Sequence, residues 1–314
     1  MSVGATGADG AGAGTGAGAT PASGRHELGI FARTFPRSSA GEVAAAVAGA
    51  GFGLVQLNLS AVGLPTLPAA DELGQLDFGA IRHAFGDRGI GIWGLSASYN
   101  MIHPDPVARA AQTEAAAALI GRAPELGVTA VTLCTGSRDA DNMWRRHPGN
   151  GEPAAWHDLR ASLDRLLPAA AAAGVRLGIE PEPGNVVSDA ARARRLLDEL
   201  GGDAGLTGIV FDPANLVTVA TAGQQASILT DAATLLAGSI FCVHAKDVVM
   251  SGYAAAGTGR LDYGLVVRLL AGTPAGTPLI VQDAADDDVA RVRDFLLAQA
   301  DAAGAGLRVP EPRM

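Results

Sequence analysis

From residue 26 onward, short apolar runs alternate along the chain with longer stretches of helical periodicity. The apolar runs predict strands at 28–31 (LGIF), 53–58 (GLVQLN), 90–97 (IGIWGLSA), 128–133 (VTAVTL), 175–180 (VRLGIE), 207–211 (TGIVF), 239–245 (SIFCVHA) and 278–282 (PLIVQ). The Ala- and Leu-rich stretches between them, among them 105–126, 157–173, 188–199 and 286–303, predict helices. Gly51, Gly89, Gly127 and Gly174 each stand just before the next strand, where a helix C-cap favours glycine. Continuous apolar strands separated by helices imply a parallel sheet covered by helices. Eight such units in about 280 residues match a closed (β/α)8 TIM barrel of the α/β class better than an open doubly wound sheet. An open sheet would carry a Gly-rich phosphate loop after its first strand. Here the first strand is followed by ARTFPRSSAGE, which lacks G-x-G-x-x-G, so no nucleotide cofactor is expected. Two longer connections, 134–156 and 246–260, fall where βα loops build a barrel's mouth.

Composition sets the boundaries. Residues 1–25 are rich in Gly, Ala and Thr, which cannot offset the entropy of ordering, so a disordered tail is expected there. The opening residues have neither the basic start nor the apolar centre of a signal peptide. The barrel is expected over 26–305 and a C-terminal tail over 306–314. Hydrophobic residues make up 48% of the chain but aromatic ones only 4%, so the core must be built from aliphatic side chains. No apolar run approaches the roughly 18 residues that span a bilayer, so no membrane partner is expected. A net charge of −9 argues against nucleic acid, which needs a basic footprint. Cys134 and Cys242 lie inside apolar runs and read as buried, reduced thiols of a cytoplasmic protein.

Chemistry in such barrels collects where strands end. Strand five ends in Glu180, strand six in Asp212, strand seven in His244 and strand eight in Gln282. Spacings of 32, 32 and 38 residues put each about one βα unit after the last. Taken singly, Glu180 reads equally as a solvated loop residue, Asp212 as a helix N-cap before Pro213, and His244 as a core histidine. Together at successive strand ends, two carboxylates and an imidazole suit one divalent metal ion (Mn2+, Mg2+, Co2+ or Zn2+) with positions open for substrate oxygens.

The segments GIEPEPGNVV, VFDPANL, VHAKD and GTGRLDYG, in this order, resemble the xylose-isomerase-like family of sugar phosphate isomerases and epimerases. That family also includes hydroxypyruvate isomerase, ketose 3-epimerases and inosose dehydratase. The resemblance runs from about residue 26 to 300 and is specific for the superfamily, not for a substrate. It implies that Glu180, Asp212 and His244 are metal ligands and that Glu180 also transfers a proton. The family usually supplies a second glutamate at the end of strand eight, as ligand and second acid/base. This chain has Gln282 there, followed by Asp283, and strand alternation points only one of the two inward. An amide can coordinate through its oxygen but has no useful acid/base chemistry. One-base isomerisation by Glu180, or proton removal followed by β-elimination, then gains over two-base epimerisation. His103 and Lys246 are the candidates for a replacement base.

Asn58, Arg138, Trp144, His147, Glu182, Asn185 and Asn215 are candidate substrate-binding residues, each with a plain structural alternative as a loop or turn former. Asp262 reads as structural. The expected substrate is a small polyhydroxy carbonyl compound, phosphorylated or not, and a homo-oligomer is compatible with the sequence. The alternatives are a lyase of the same fold (a keto-inositol dehydratase or keto-glycoside eliminase) and a sugar-binding barrel without catalysis. A trinuclear-zinc endonuclease of this barrel type needs more strand-end histidines than the six in the chain provide.

Overall fold

A computed structural model describes residues 26–312. The tail expected over 1–25 lies outside the described residues. Eight parallel strands form the barrel: β1 (His26–Phe31), β2 (Leu54–Asn58), β3 (Gly91–Ser96), β4 (Ala130–Cys134), β5 (Arg176–Glu180), β6 (Thr207–Phe211), β7 (Ile240–Val249) and, as the eighth, β9 (Leu279–Val281). Neighbours in sequence pair in order, and β9 pairs with both β7 and β1, which closes the ring. Helices α1 (Ala40–Gly49), α2 (Phe78–Gly86), α3 (Pro106–Arg122), α4 (Pro153–Ala173), α5 (Ala190–Leu200), the single turn α6 (Pro213–Leu216), α7 (Gln225–Leu235), α8 (Tyr263–Ala271) and α9 (Val289–Ala303) cover the outside.

The local signals behave as the chemistry requires. Ser39, Asp77, Asp105, Asp189 and Asp262 each accept a backbone N–H at the start of α1, α2, α3, α5 and α8, a cap typically worth about 1 kcal/mol. Gly51, Gly89, Gly127 and Gly174 all adopt the left-handed conformation that ends the preceding helix. The main core lies between strands and helices. A second cluster fills the barrel itself: Val210, Cys242 and Ile280, with Phe31, Leu54, Trp93 and Phe241 packed on them. Gly208 leaves the room that the Phe241 ring occupies, since a Cβ there would collide with it, and a Cβ on Gly178 would press on the same ring. That cluster is the floor on which the strand-end residues stand. Both cysteines are free and buried.

Two segments expected as irregular carry strand structure. The stretch 246–260 begins as the outer half of β7, which overruns the barrel and folds back as β8 (Gly252–Ala255), with Lys246 opposite Ala255 and Val249 opposite Gly252. This antiparallel arm stands over the mouth. In the segment expected as a C-terminal tail, β10 (Leu307–Arg308) pairs in parallel with His26 and Glu27, and the Pro310 carbonyl rests where a Cβ on Gly53 would be. Among the described residues, no helix is long and apolar enough to cross a membrane.

Candidate metal centre

Alternation along the strands turns Gln56 and Asn58 of β2, Cys242 and His244 of β7, and Ile280 and Gln282 at the end of β9 toward the barrel axis, the second of each pair being nearer the mouth. Glu180, Asp212 and His244 meet there, with one ligand atom from each lying within 4.8 Å of the others. His244 Nδ1 is 3.4 Å from Glu180 Oε1 and 3.8 Å from Asp212 Oδ2. It is buried and makes no hydrogen bond among the described residues. The other ring nitrogen, Nε2, lies 3.0 Å from Gln56 Oε1, and the Gln56 amide N–H donates to the Thr132 hydroxyl at 3.1 Å. With Nε2–H given to Gln56, the lone pair of Nδ1 faces the two carboxylates. That is the tautomer a metal-binding histidine needs, fixed by a partner on its far side. A buried imidazole nitrogen without a partner, aimed at two carboxylates, fits a divalent ion.

Each carboxylate has a second task. Asp212 does cap α6, its Oδ1 accepting the Ala214 N–H at 2.9 Å, while Oδ2 faces the cluster and pairs with Lys246 Nζ at 2.9 Å. Burial favours the neutral acid, yet the charge of Lys246 holds the Asp212 carboxyl well below the usual carboxylate range. Burial works against the Lys246 ammonium too, but Asp212 and Glu180 outweigh it and push its pKa up. Lys246 is thus held charged and suits charge stabilisation better than the base role expected of it. Glu180 Oε1 accepts the Asn215 amide N–H at 2.8 Å, which aims the carboxylate into the cavity.

The cavity above this cluster measures about 880 Å3 and is bordered by Asn58, Trp144, Glu180, Glu182, Lys246 and Gln282 among the expected residues. Burial, then the charge of Glu180, pushes the Glu182 carboxyl up to about 8. The Gln282 amide nitrogen lies 3.3 Å from His244 Nε2, on the far side of the ring from the carboxylates. Asp283 corrects the expectation that only one of the pair faces inward. Its φ of 54°, the one positive value among described non-glycine residues, breaks the strand alternation, so Gln282 and Asp283 both border the cavity.

Several expected residues stand elsewhere. His103 lies outside the central cavity, its ring beside the Ala140 and Asp105 carbonyls, because the chain after β3 turns away to start α3. Arg138 reaches back to the Ile102 carbonyl and Asp158 and ties its loop to α4. His147 caps a turn, its Nδ1 accepting the Gly149 N–H. Asn185 is buried, its Oδ1 accepting the Gly136 N–H at 2.6 Å and so joining two mouth loops. Asn215 contacts Glu180 and does not border the cavity. Sequence reasoning missed Gln56, Arg33, Arg146 and Tyr253, all of which border it. Gln56 was within reach, standing two residues before Asn58 on the same strand face.

Asp247 explains the GTGRLDYG segment. Its carboxylate accepts the backbone N–H groups of Val248, Gly257, Gly259 and Leu261, clamping the return of the arm to the barrel. Asp262 then caps α8.

Solved structures share this architecture. A 3-keto-D-glucoside 4-epimerase from E. coli is 16% identical with a TM-score of 0.66, covering 87% of this chain and 99% of that one. An L-ribulose 3-epimerase is 18% identical with a TM-score of 0.65, covering 88% and 95%. A D-allulose 3-epimerase from Methylomonas sp., in complex with D-allulose, is 17% identical with a TM-score of 0.62, covering 90% and 95%. At such identities the likeness establishes the fold. No curated protein matches the sequence significantly. The model of one protein family, described as the xylose isomerase-like TIM barrel, matches residues 44–307, and the chain belongs to that family.

Proposed function

We propose that this protein is a divalent-metal-dependent isomerase or epimerase of a small sugar or keto-sugar. The observation that carries the reading is the buried, unpartnered His244 Nδ1 facing Glu180 and Asp212 at the ends of three consecutive strands. Glu180, Asp212 and His244 would hold the ion, with Gln282 as a neutral fourth ligand once its amide turns from the Nε2 side. An ion there would supply Lewis acidity to adjacent carbonyl and hydroxyl oxygens of the substrate, acidifying the carbon-bound proton between them.

The chain's own residues do the rest. Glu180, aimed by Asn215, accepts that proton, giving an enediolate, and returns it to the neighbouring carbon or to the same one. The Lys246 ammonium faces the same space and offsets negative charge developing on oxygen. Glu182 offers its carboxyl to a substrate hydroxyl. The position of Asp283 favours a second reading, in which its carboxylate, instead of the family's glutamate, serves the opposite face and allows epimerisation.

Metal analysis after loading with Mn2+ tests the centre: one ion per chain in wild type, and none in the Glu180→Ala/His244→Ala double variant. Equal metal content in both would overturn the proposal. Incubating the loaded protein with ketoses and keto-sugars in D2O separates the two courses. Isomerisation by one base survives Asp283→Asn, whereas inversion at carbon drops about 100-fold or more. An absorbing enone among the products would instead make the protein a lyase.

A further inference from the structure

A second concavity, of about 600 Å3, adjoins the central cavity, and Pro183 and Tyr253 border both. It opens between α6, residues 217–220 and the β7–β8 arm, and its walls include Ala214, Val217, Val219, Val248, Val249 and Met250. Apart from the Tyr253 phenol, Thr218 brings the only side-chain hydroxyl. That hydroxyl is already engaged with Thr221 in a capping box. Met250 at the tip of the arm is 86% exposed and Tyr253 46%, large apolar surface left in water beside a polar cavity. The Tyr253 ring stands between the two: Lys246 Nζ lies 4.1 Å from its centroid, and the ring also lines the apolar side.

We propose that this groove seats the apolar aglycone of a glycoside whose sugar ring occupies the metal-facing cavity. The inference rests on the sugar reading above and names its substrate class. A free monosaccharide has nothing to place there, because its hydroxyls would lose water against valine and methionine without gaining partners. A glycoside with an aryl aglycone matches both halves: hydroxyls toward Glu180, Glu182 and Lys246, and a flat apolar group past Tyr253 onto Val219 and Met250. The shared border sets the polarity change where a glycosidic oxygen would lie.

The test is a calorimetric titration of the full-length, Mn2+-loaded protein with the 3-keto forms of phenyl and methyl β-D-glucopyranoside. The phenyl compound is expected to bind about tenfold tighter, through the added apolar burial. Met250→Ser with Val219→Asn should bring the two within twofold. Equal affinities in wild type, or a phenyl advantage that survives both substitutions, would overturn the proposal. So would sedimentation showing a stable dimer that Met250→Ser disperses, which would give the face to a second copy of the chain. Solvent-deuterium exchange on free keto-sugars reads the sugar function separately. Exchange that persists without a phenyl preference removes only the aglycone, whereas no binding of either glycoside and no exchange removes both.

Discussion

At the scale of single residues, the proposed centre rests also on side chains outside its ligand set. Gln56 is the clearest case: its Oε1 lies 3.0 Å from His244 Nε2 and favours a proton there, and its amide is held by Thr132. Gln56→Leu keeps the volume but removes the acceptor, so the neutral imidazole can place its proton on Nδ1. Mn2+ affinity, followed by titration calorimetry, should fall about 10- to 100-fold, with little change in the circular dichroism spectrum. Gln282→Glu tests the neighbouring position. A carboxylate there would replace the neutral amide of the proposed fourth ligand and add a negative charge to the site. The expected outcome is Mn2+ binding about tenfold tighter than in wild type. Weaker binding in this variant would show that the amide is needed as it stands.

At the scale of elements, the mouth is made by loops that brace one another. Asn185 accepts from Gly136, Val186 N–H donates to the Gly136 carbonyl, and Asn150 donates to the Gly184 carbonyl. These bonds lay the β4–α4 loop against the β5–α5 loop and bring Met143, Trp144 and Arg146 to the cavity. Gly184 permits the contact, since a Cβ there would overlap the Trp144 carbonyl oxygen. Gly184→Ala should cost about 1–3 kcal/mol, lower Tm by several degrees in a thermal melt and raise KM more than it lowers kcat. This bracing also marks the limit of what the sequence discloses. Strands and helices were legible because burial imposes a period on them, and Glu180, Asp212 and His244 because strand ends converge. Arg138, His147 and His103 stand away from the central cavity, and nothing periodic says where a long loop folds back. Arg138 finds Asp158 on α4 and His147 its own turn, partners that only the folded chain brings near. Asp283 departs from alternation for the opposite reason: the strand period ends one residue before it, where a left-handed turn breaks the pattern.

For the molecule as a whole, the three proposed ligands sit on adjacent strands of a ring that closes only when β9 meets β1. Glu180 ends β5, Asp212 follows β6 and His244 lies on β7, while the partner of His244 comes from β2 across the barrel. No short peptide contains that set, and the unfolded chain offers it only as scattered groups. Binding an ion should therefore favour the closed barrel over every opened form and register in global unfolding. At Mn2+ a hundredfold above its Kd, linkage gives about 2.7 kcal/mol of stabilisation. For a chain of this size that corresponds to a rise in Tm of about 4–5 °C. Thermal melts with Mn2+ and with EDTA measure it directly: the rise should vanish with the chelator and in the Glu180→Ala/His244→Ala variant. A rise of the same size in that variant would place the ion elsewhere on this acidic surface, with its net charge of −9, and not among the strand ends. Ordinary exposed carboxylates bind such ions weakly and are screened by salt, so the strand-end site should also keep its effect at 0.15 M salt, where surface association fades.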